Sequence, residues 1–261
     1  KVLLCGNGGS AADAQHLSAE FLAKFYLDRK PLFAEALHIN TSYITAVSND
    51  YSFAETYSRL ISAKGKNGDI LIGTQMIAKG LDFPKVTLVG IIQADSNLFV
   101  PDFRAPEKTF QLIMQVSGRS GRRNIEGNVI IQAMNPEHYA IKYACDNDYQ
   151  GFYLHEMKIR RLARYSPFYY LINIILTGKQ IRDIFFAGLE IAKELKRSFD
   201  NKIIVLGPAM DQTMRINNKY QATVLVKYRN EEEISEVINQ TIDKYIKEDI
   251  FISIDNYSNV G

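Results

Sequence analysis

Lys1–Ser10 reads KVLLCGNGGS. The apolar run Val2–Cys5 stops at the glycine-rich turn Gly6–Gly9. From Ala11 onward Leu17, Phe21, Leu22 and Phe25 recur at helical spacing. This is a strand, a tight turn and a helix over 11–26, with Ser10 predicted as the N-cap. The same alternation continues outward. Lys30-Pro31 ends the first unit, residues 34–39 suit a second strand, and 42–64 suit a helix interrupted near 48–50. A turn at 65–68 leads to a third strand at 70–73. Beyond it, the β-branched runs at 86–92 and 128–132 flank a helical stretch over 106–118. Strands separated by helices predict an α/β fold, a parallel sheet with flanking helices.

The last third changes character. A helix is predicted over 136–162, followed by a strand at 168–178 and a helix at 180–198. Strands at 203–206 and 220–227, a helix at 231–247 and a strand at 251–254 complete the chain. That order is a ferredoxin-like α+β pattern. Lys158, Arg160, Arg161 and Arg164 form a basic stretch at the end of the helix preceding it. Such a stretch is either a phosphate-contacting surface or a solvated helix end.

Composition narrows the classes. Lys and Arg total 31 against 29 Asp and Glu, so the net charge of +2 excludes a uniformly basic nucleic-acid coat and leaves room for a local groove. The cysteines are Cys5 and Cys145, too few for a disulfide scaffold or a four-cysteine zinc module and suited to a reducing cytoplasm. No apolar run has the length of a membrane span, so no membrane partner is expected. The chain opens on a strand-like run without an initiator Met, as a piece of a longer protein would.

Gly6-Asn7-Gly8-Gly9-Ser10 has the chemistry of a phosphate site, because bare backbone amides at a helix N-terminus attract anions. The plain alternative is a tight turn. His16 and Glu20, four apart, share one helix face just beyond it. They suit proton shuttling on a sugar or ligation of one metal, or simply a solvated face.

Taken together, these residues resemble the sugar isomerase (SIS) family, specifically the phosphoheptose isomerases. The matching text is CGNGGSAADAQHLSAEF, TSYITAVSNDYSFAETYSR and GKNGDILIG. The resemblance implies that Asn7, Ser10 and Asp50 hold a sugar phosphate and that Glu20 is the acid–base residue for sedoheptulose 7-phosphate. It also implies His16 and Glu20 as ligands of a zinc ion, and a homo-oligomer built through this part. After GDILIG the text departs. The second phosphate loop of that family and its late catalytic His have no counterpart here, so isomerisation by this chain is not expected.

Asp69–Ser96 (DILIGTQMIAKGLDFPKVTLVGIIQADS) and Phe103–Arg122 (FRAPEKTFQLIMQVSGRSGR) resemble motifs V and VI of the primosomal replication-restart helicases. The second has the QxxGRxGR form of superfamily 2. GRSGRR alone could be a basic surface turn, but Gln115 stands at the right offset. By this resemblance Arg119 and Arg122 stabilise charge on a γ-phosphate, Gln115 senses the nucleotide, and Thr74, Gln75, Lys79, Gly80 and Asp82 couple nucleotide to DNA. The implied cofactors are ATP and Mg2+. The implied partners are forked or single-stranded DNA and replication-restart proteins, in the cytoplasm. No GxxxxGK[ST] loop and no DExH box occur in the sequence, so the chain is not expected to hydrolyse ATP by itself. Gln221 stands where that family usually has Arg. The domains expected are a partial SIS segment at 1–73, the end of a RecA-like helicase lobe 2 at 69–165, and a C-terminal α+β domain at 166–261. GDILIG is common to both families, and the two meet there.

Overall fold

A computed structural model describes residues 1–74, 86–118, 127–200, 202–210, 219–229, 233–246 and 249–257. The chain divides into two compact units, residues 1–152 and 153–261. Each is taken by itself.

In the first unit β1 (Val2–Leu4) lies between β2 (Ala34–Ala36) and β3 (Ile70–Ile72), all parallel, with Val2 opposite Ala34 and Ile70. Side chains alternate across a strand. Leu3, Cys5 and Leu71 therefore pack on Tyr57 and Leu60 of α3 (Glu55–Lys64). Leu4, Ala34 and Ala36 pack on Ala14 and Phe21 of α1 (Gly9–Leu22). Between β2 and α3 run a short 3₁₀ turn at Leu37–Ile39 and α2 (Thr41–Asp50), whose first turn is capped by the Asn40 side chain.

A second parallel pair, β4 (Leu88–Ile91) with β5 (Asn128–Ile131), carries α4 (Ala105–Ser117) and α5 (Tyr139–Cys145) on one face. Ile91, Phe110, Ile113, Ile141 and Phe152 form its core, with Phe110 stacked on Phe152 at 4.2 Å. Among the described residues the pair β4–β5 shares no strand pairing with β1–β3. The parallel strands with flanking helices expected from the sequence are present, and among the described residues they form a three-stranded and a two-stranded sheet.

The unit boundary falls within α6 (Tyr149–Ala163). The second unit is a four-stranded antiparallel sheet in the order β7-β8-β6-β9, made of β6 (Tyr170–Gly178), β7 (Ile204–Met210), β8 (Tyr220–Tyr228) and β9 (Ile250–Tyr257). α7 (Ile181–Ser198) and α8 (Ile234–Asp243) supply its helices. This is the ferredoxin-like order that the sequence predicts. Ile174, Leu176, Ile184, Ile191, Leu195, Val224 and Ile238 fill one continuous core.

Several boundaries differ from expectation for identifiable reasons. Helix α1 starts at Gly9, so Ser10 is inside it rather than at its cap. It stops at Leu22 because Arg29 donates to the carbonyls of Glu20 and Phe21, satisfying acceptors at the helix end. The helix predicted over 136–162 is broken by Asn147, which sits in the left-handed region at φ 55. Asp148 then caps the next helix by accepting from the Gly151 amide at 2.8 Å. Strand β7 runs on through Gly207-Pro208 with a register slip between Leu206 and Ala209. Gly207 has φ 99, and a Cβ there would stand 2.6 Å from the Thr223 carbonyl oxygen, so no larger residue fits.

Leu195 is fully buried in the core of the second unit. Leu195→Ala is expected to destabilise that unit by about 2–5 kcal/mol. Leu206→Ala, at a half-exposed position, is expected to cost far less. Urea unfolding followed by circular dichroism distinguishes the two, and equal losses would contradict the assigned core.

Candidate functional site

The turn after β1 is built for close packing. A Cβ on Gly6 would lie 2.2 Å from the Ser10 carbonyl oxygen, so only glycine lets α1 start this near the strand. The Ser10 hydroxyl accepts from the Asn7 amide and donates to the Asn7 carbonyl, both at 2.8 Å, which closes the loop on itself. Tyr57 reaches in from α3 and donates its hydroxyl to the Gly6 carbonyl at 2.6 Å. Burial raises the Tyr57 phenol, against the lowering effect of that bond. Burial also pushes the neighbouring Cys5 thiol up to about 12, so it stays a neutral packing group.

These elements line an open-mouthed cavity of about 240 Å³, bordered by Gly6, Asn7, Gly8, His38, Thr45 and Tyr57 among others. Among the described residues His38 Nδ1, buried there, has no hydrogen-bond partner. Of the residues implied as sugar-phosphate contacts, Asn7 lines this cavity, while Ser10 and Asp50 do not. The Asp50 carboxylate accepts from the neighbouring Asn49 amide at 3.3 Å. Sequence reasoning missed His38 and Tyr57, which come from segments remote from the loop. The aromatic position in Phe53–Arg59 was the available signal.

His16 and Glu20 do meet, with Nε2 to Oε1 at 3.6 Å on the outer side of α1, the imidazole three-quarters exposed. They lie outside the cavity lining, and among the described residues no group of three His, Cys, Asp or Glu could hold a metal. This donor pair does not fit a zinc site.

On the helicase-like side, Gln115 lies on the exposed side of α4, away from Phe110 and Ile113. Thr74 is exposed just past β3. Gln75, Lys79, Gly80, Asp82, Arg119 and Arg122 lie outside the described residues. What positions α4 is a charge knot at its start. Asp102 accepts from the Arg104 amide at 2.9 Å, from Arg104 Nε and Nη2 at 3.0 Å each, and from Lys108 Nζ at 2.7 Å. Burial raises the Asp102 carboxyl, but these donors outweigh it and hold it well below the usual carboxylate range. The Asp102 carboxylate is thus occupied by the cations of its own helix start, and of the residues implied for the nucleotide only Gln115 and Thr74 lie among the described residues.

The basic stretch splits on inspection. Arg160 turns inward, donating Nε to Glu156 Oε1 at 2.7 Å, and both side chains are under 10% exposed (9% and 4%). Lys158, Arg161 and Arg164 face solvent, with Arg161 4.7 Å over the Phe168 ring. The signal for Arg160 was present in the sequence as a Glu four residues before an Arg. No helix among the described residues is long and apolar enough to cross a membrane.

Comparison with known proteins follows the same division. Residues 161–257 match the family model of the primosomal protein N C-terminal domain, and residues 1–76 match that of the SIS domain. Two different parts of the chain are thus similar to two different families. Replication restart protein PriA of Bacillus subtilis is 43% identical over 204 residues, which is 76% of this chain and 25% of that protein. PriA of Borreliella burgdorferi is 33% identical over 215 residues, 82% of this chain and 33% of that protein. The chain thus spans a quarter to a third of these relatives. A phosphoheptose isomerase structure from Francisella tularensis is 24% identical, covering 62% of this chain and 76% of that one, with a TM-score of 0.29. That score is too low to bear on the fold.

Asp102→Asn is expected to cost about 1–2 kcal/mol at pH 7, since it weakens charge-assisted bonds whose Arg104 and Lys108 ends are partly exposed and screened. The folded-state carboxyl is depressed, so its contribution is present above the unfolded value near 4 and is lost as pH falls through the folded one. Urea unfolding of both proteins from pH 7 down to about 2 should show their difference closing only in the acid range. A constant gap would mean the carboxylate charge is not what holds α4.

Proposed function

We propose that this chain is a nucleic-acid-binding segment of a replication-restart protein without ATPase activity of its own. The observation that carries the reading is the second unit. Its ferredoxin-like sheet coincides with the primosomal C-terminal match, and exposed cations gather at one end of it. Relatives named for replication restart support DNA and restart proteins as partners.

Binding of this kind rests on phosphate contacts and is indifferent to sequence. With a net charge of +2, distant parts of the chain add little attraction, so a few local cations must supply it. Lys158, Arg161 and Arg164 are available for that role, whereas Arg160 is committed to Glu156. ATP hydrolysis needs nucleotide and magnesium to be held, and arginines of motif VI cannot do that alone. The alternative, isomerisation of sedoheptulose 7-phosphate, is poorly served. Glu20 and Asp50 lie outside the cavity that Asn7 lines, and proton transfer requires hydrogen-bond reach of the substrate.

Purified chain is expected to release no phosphate from ATP, with or without a DNA fork. DNA-stimulated release that vanishes in Arg122→Ala would refute this.

Anisotropy of a labelled fork across salt concentrations should give weak binding whose log affinity falls by about 0.7–0.9 per log salt for each phosphate neutralised. Arg161→Ala with Arg164→Ala should flatten that slope. Arg160→Ala should instead destabilise the fold by about 3–5 kcal/mol, because it removes the buried cation that pairs with the buried Glu156. Salt-independent binding would overturn the phosphate-contact reading.

A further inference from the structure

The sheet of the second unit has two unlike faces. One carries Ile172, Ile174, Leu176, Val224 and Val226 against α7 and α8. On the other, among the described residues, Asn173, Ile175, Thr177, Gln221, Thr223 and Ser253 are partly exposed and Phe251 is exposed. The end of this face near Leu171 is closed by the segment after α6, where Lys227 Nζ donates to the Ala163 carbonyl at 2.9 Å and lies 3.4 Å from the Tyr165 ring centre. Beyond that cap the open face follows the strand register. Phe251 on β9 stands beside Thr177 on β6, which stands beside Gln221 on β8. The next row is Ser253, Ile175 and Thr223. Phe251 is 65% exposed, so its ring face is accessible from this side of the sheet.

Charge on this face is sorted by strand. Exposed Lys219 and Arg229 stand just beyond the two ends of β8, with Arg229 stacked 4.7 Å over the Tyr169 ring. Exposed Lys179 follows β6 at the Lys219 end. The carboxylates of Asp249 and Asp255 belong to the β9 side. Strand rise puts about 30 Å between Lys219 and Arg229, room for several nucleotides. A polyanion therefore has one favourable track, along β8. Groups hanging from that track towards β9 meet hydroxyls, an amide and the Phe251 ring.

We infer that the open face of this sheet is a stacking platform for single-stranded nucleic acid, with the backbone running along β8 and a base lying on Phe251. The inference rests on the nucleic-acid reading above and deepens it. An apolar peptide would leave Thr177, Thr223 and Gln221 unsatisfied and gain nothing from the cations. A duplex hides the base faces that an exposed ring can stack on. An unstacked strand offers both a π-face and a phosphate chain.

The test uses the full chain, labelled oligo(dT) and an abasic strand of equal length, with affinities read by anisotropy. Unchanged chain is expected to bind oligo(dT) more tightly than the abasic strand. Phe251→Ala should weaken oligo(dT) by about 5- to 150-fold, leave the abasic affinity and the salt slope unchanged, and be rescued by Phe251→Tyr. Arg229→Ala should lower the salt slope by about 0.7 on both strands. Thermal melts of each variant verify that the fold is retained, and Phe251→Tyr keeps the ring if the alanine variant does not fold. If unchanged chain binds neither strand, both this inference and the nucleic-acid reading fail. If it binds but Phe251→Ala makes no difference, or weakens both strands equally, only the stacking platform is overturned.

Discussion

A helix with its side chains is about 10 Å wide, and strands are spaced by about 4.8 Å, so one helix covers two strands of a sheet. That ratio governs each part of this chain. The second unit has four strands and two helices on one face, and its core closes with Ile174, Leu176 and Leu195 fully buried. Among the described residues the three-stranded sheet has α1 alone on one face. α1 reaches β1 and β2, and on that same face Ile70 and Ile72 of β3 remain 58% and 40% exposed. Among the same residues the pair β4–β5 has helices on one side, and Leu88 and Ile130 on the other are more than half exposed. The closed core is also the part that matches a family domain almost from end to end.

The two functional resemblances fare differently under the same geometry. The glycine loop keeps its local shape because its causes are local: Gly6 admits the helix, and Ser10 and Tyr57 tie the loop down. A sugar-phosphate site needs more than a loop, and the groups meant to converge on it do not. Glu20 sits beside His16 on the outer side of α1, and the Asp50 carboxylate bonds to Asn49. The stretch that resembles motif VI likewise has a helix over Ala105–Ser117. Asp102 anchors the first turn through Arg104 and Lys108, and Phe110 and Ile113 hold the inner face, which leaves Gln115 outward. Local anchoring needs only neighbouring residues, whereas convergence of distant groups depends on a whole domain.

Much of the fold was legible in the sequence because the strongest signals are periodic. α7 and α8 alternate apolar and charged residues at helical spacing, and β6 and β8 are long β-branched runs, so the ferredoxin-like order follows directly. The break at Asn147-Asp148 was legible too, as a left-handed Asn followed by a capping Asp, but periodicity across it hid the signal. Sheet membership was not legible. Apolar runs show that a segment is a buried strand, not which strands it pairs with, and β3 and β4 fall in different sheets. The cavity was only half legible, since His38 and Tyr57 reach the loop through tertiary packing. The orientation of Arg160 depended on helix phase, which composition alone conceals.

Strand β3 is the segment shared by the two resemblances, and among the described residues it is an edge strand. An edge presents a row of unpaired amides and carbonyls, and this one adds two uncovered isoleucines to it. Its neighbours in sequence moderate the hazard. Lys64 and Lys66 precede it, and Asp69 stands at its entry, holding the Lys66 amide at 2.9 Å. Charges flanking a sticky strand act as gatekeepers against pairing between molecules. The segment common to the two resemblances thus places Lys64, Lys66 and Asp69 beside an exposed strand edge, and charge there opposes pairing of that edge with a second copy of the chain.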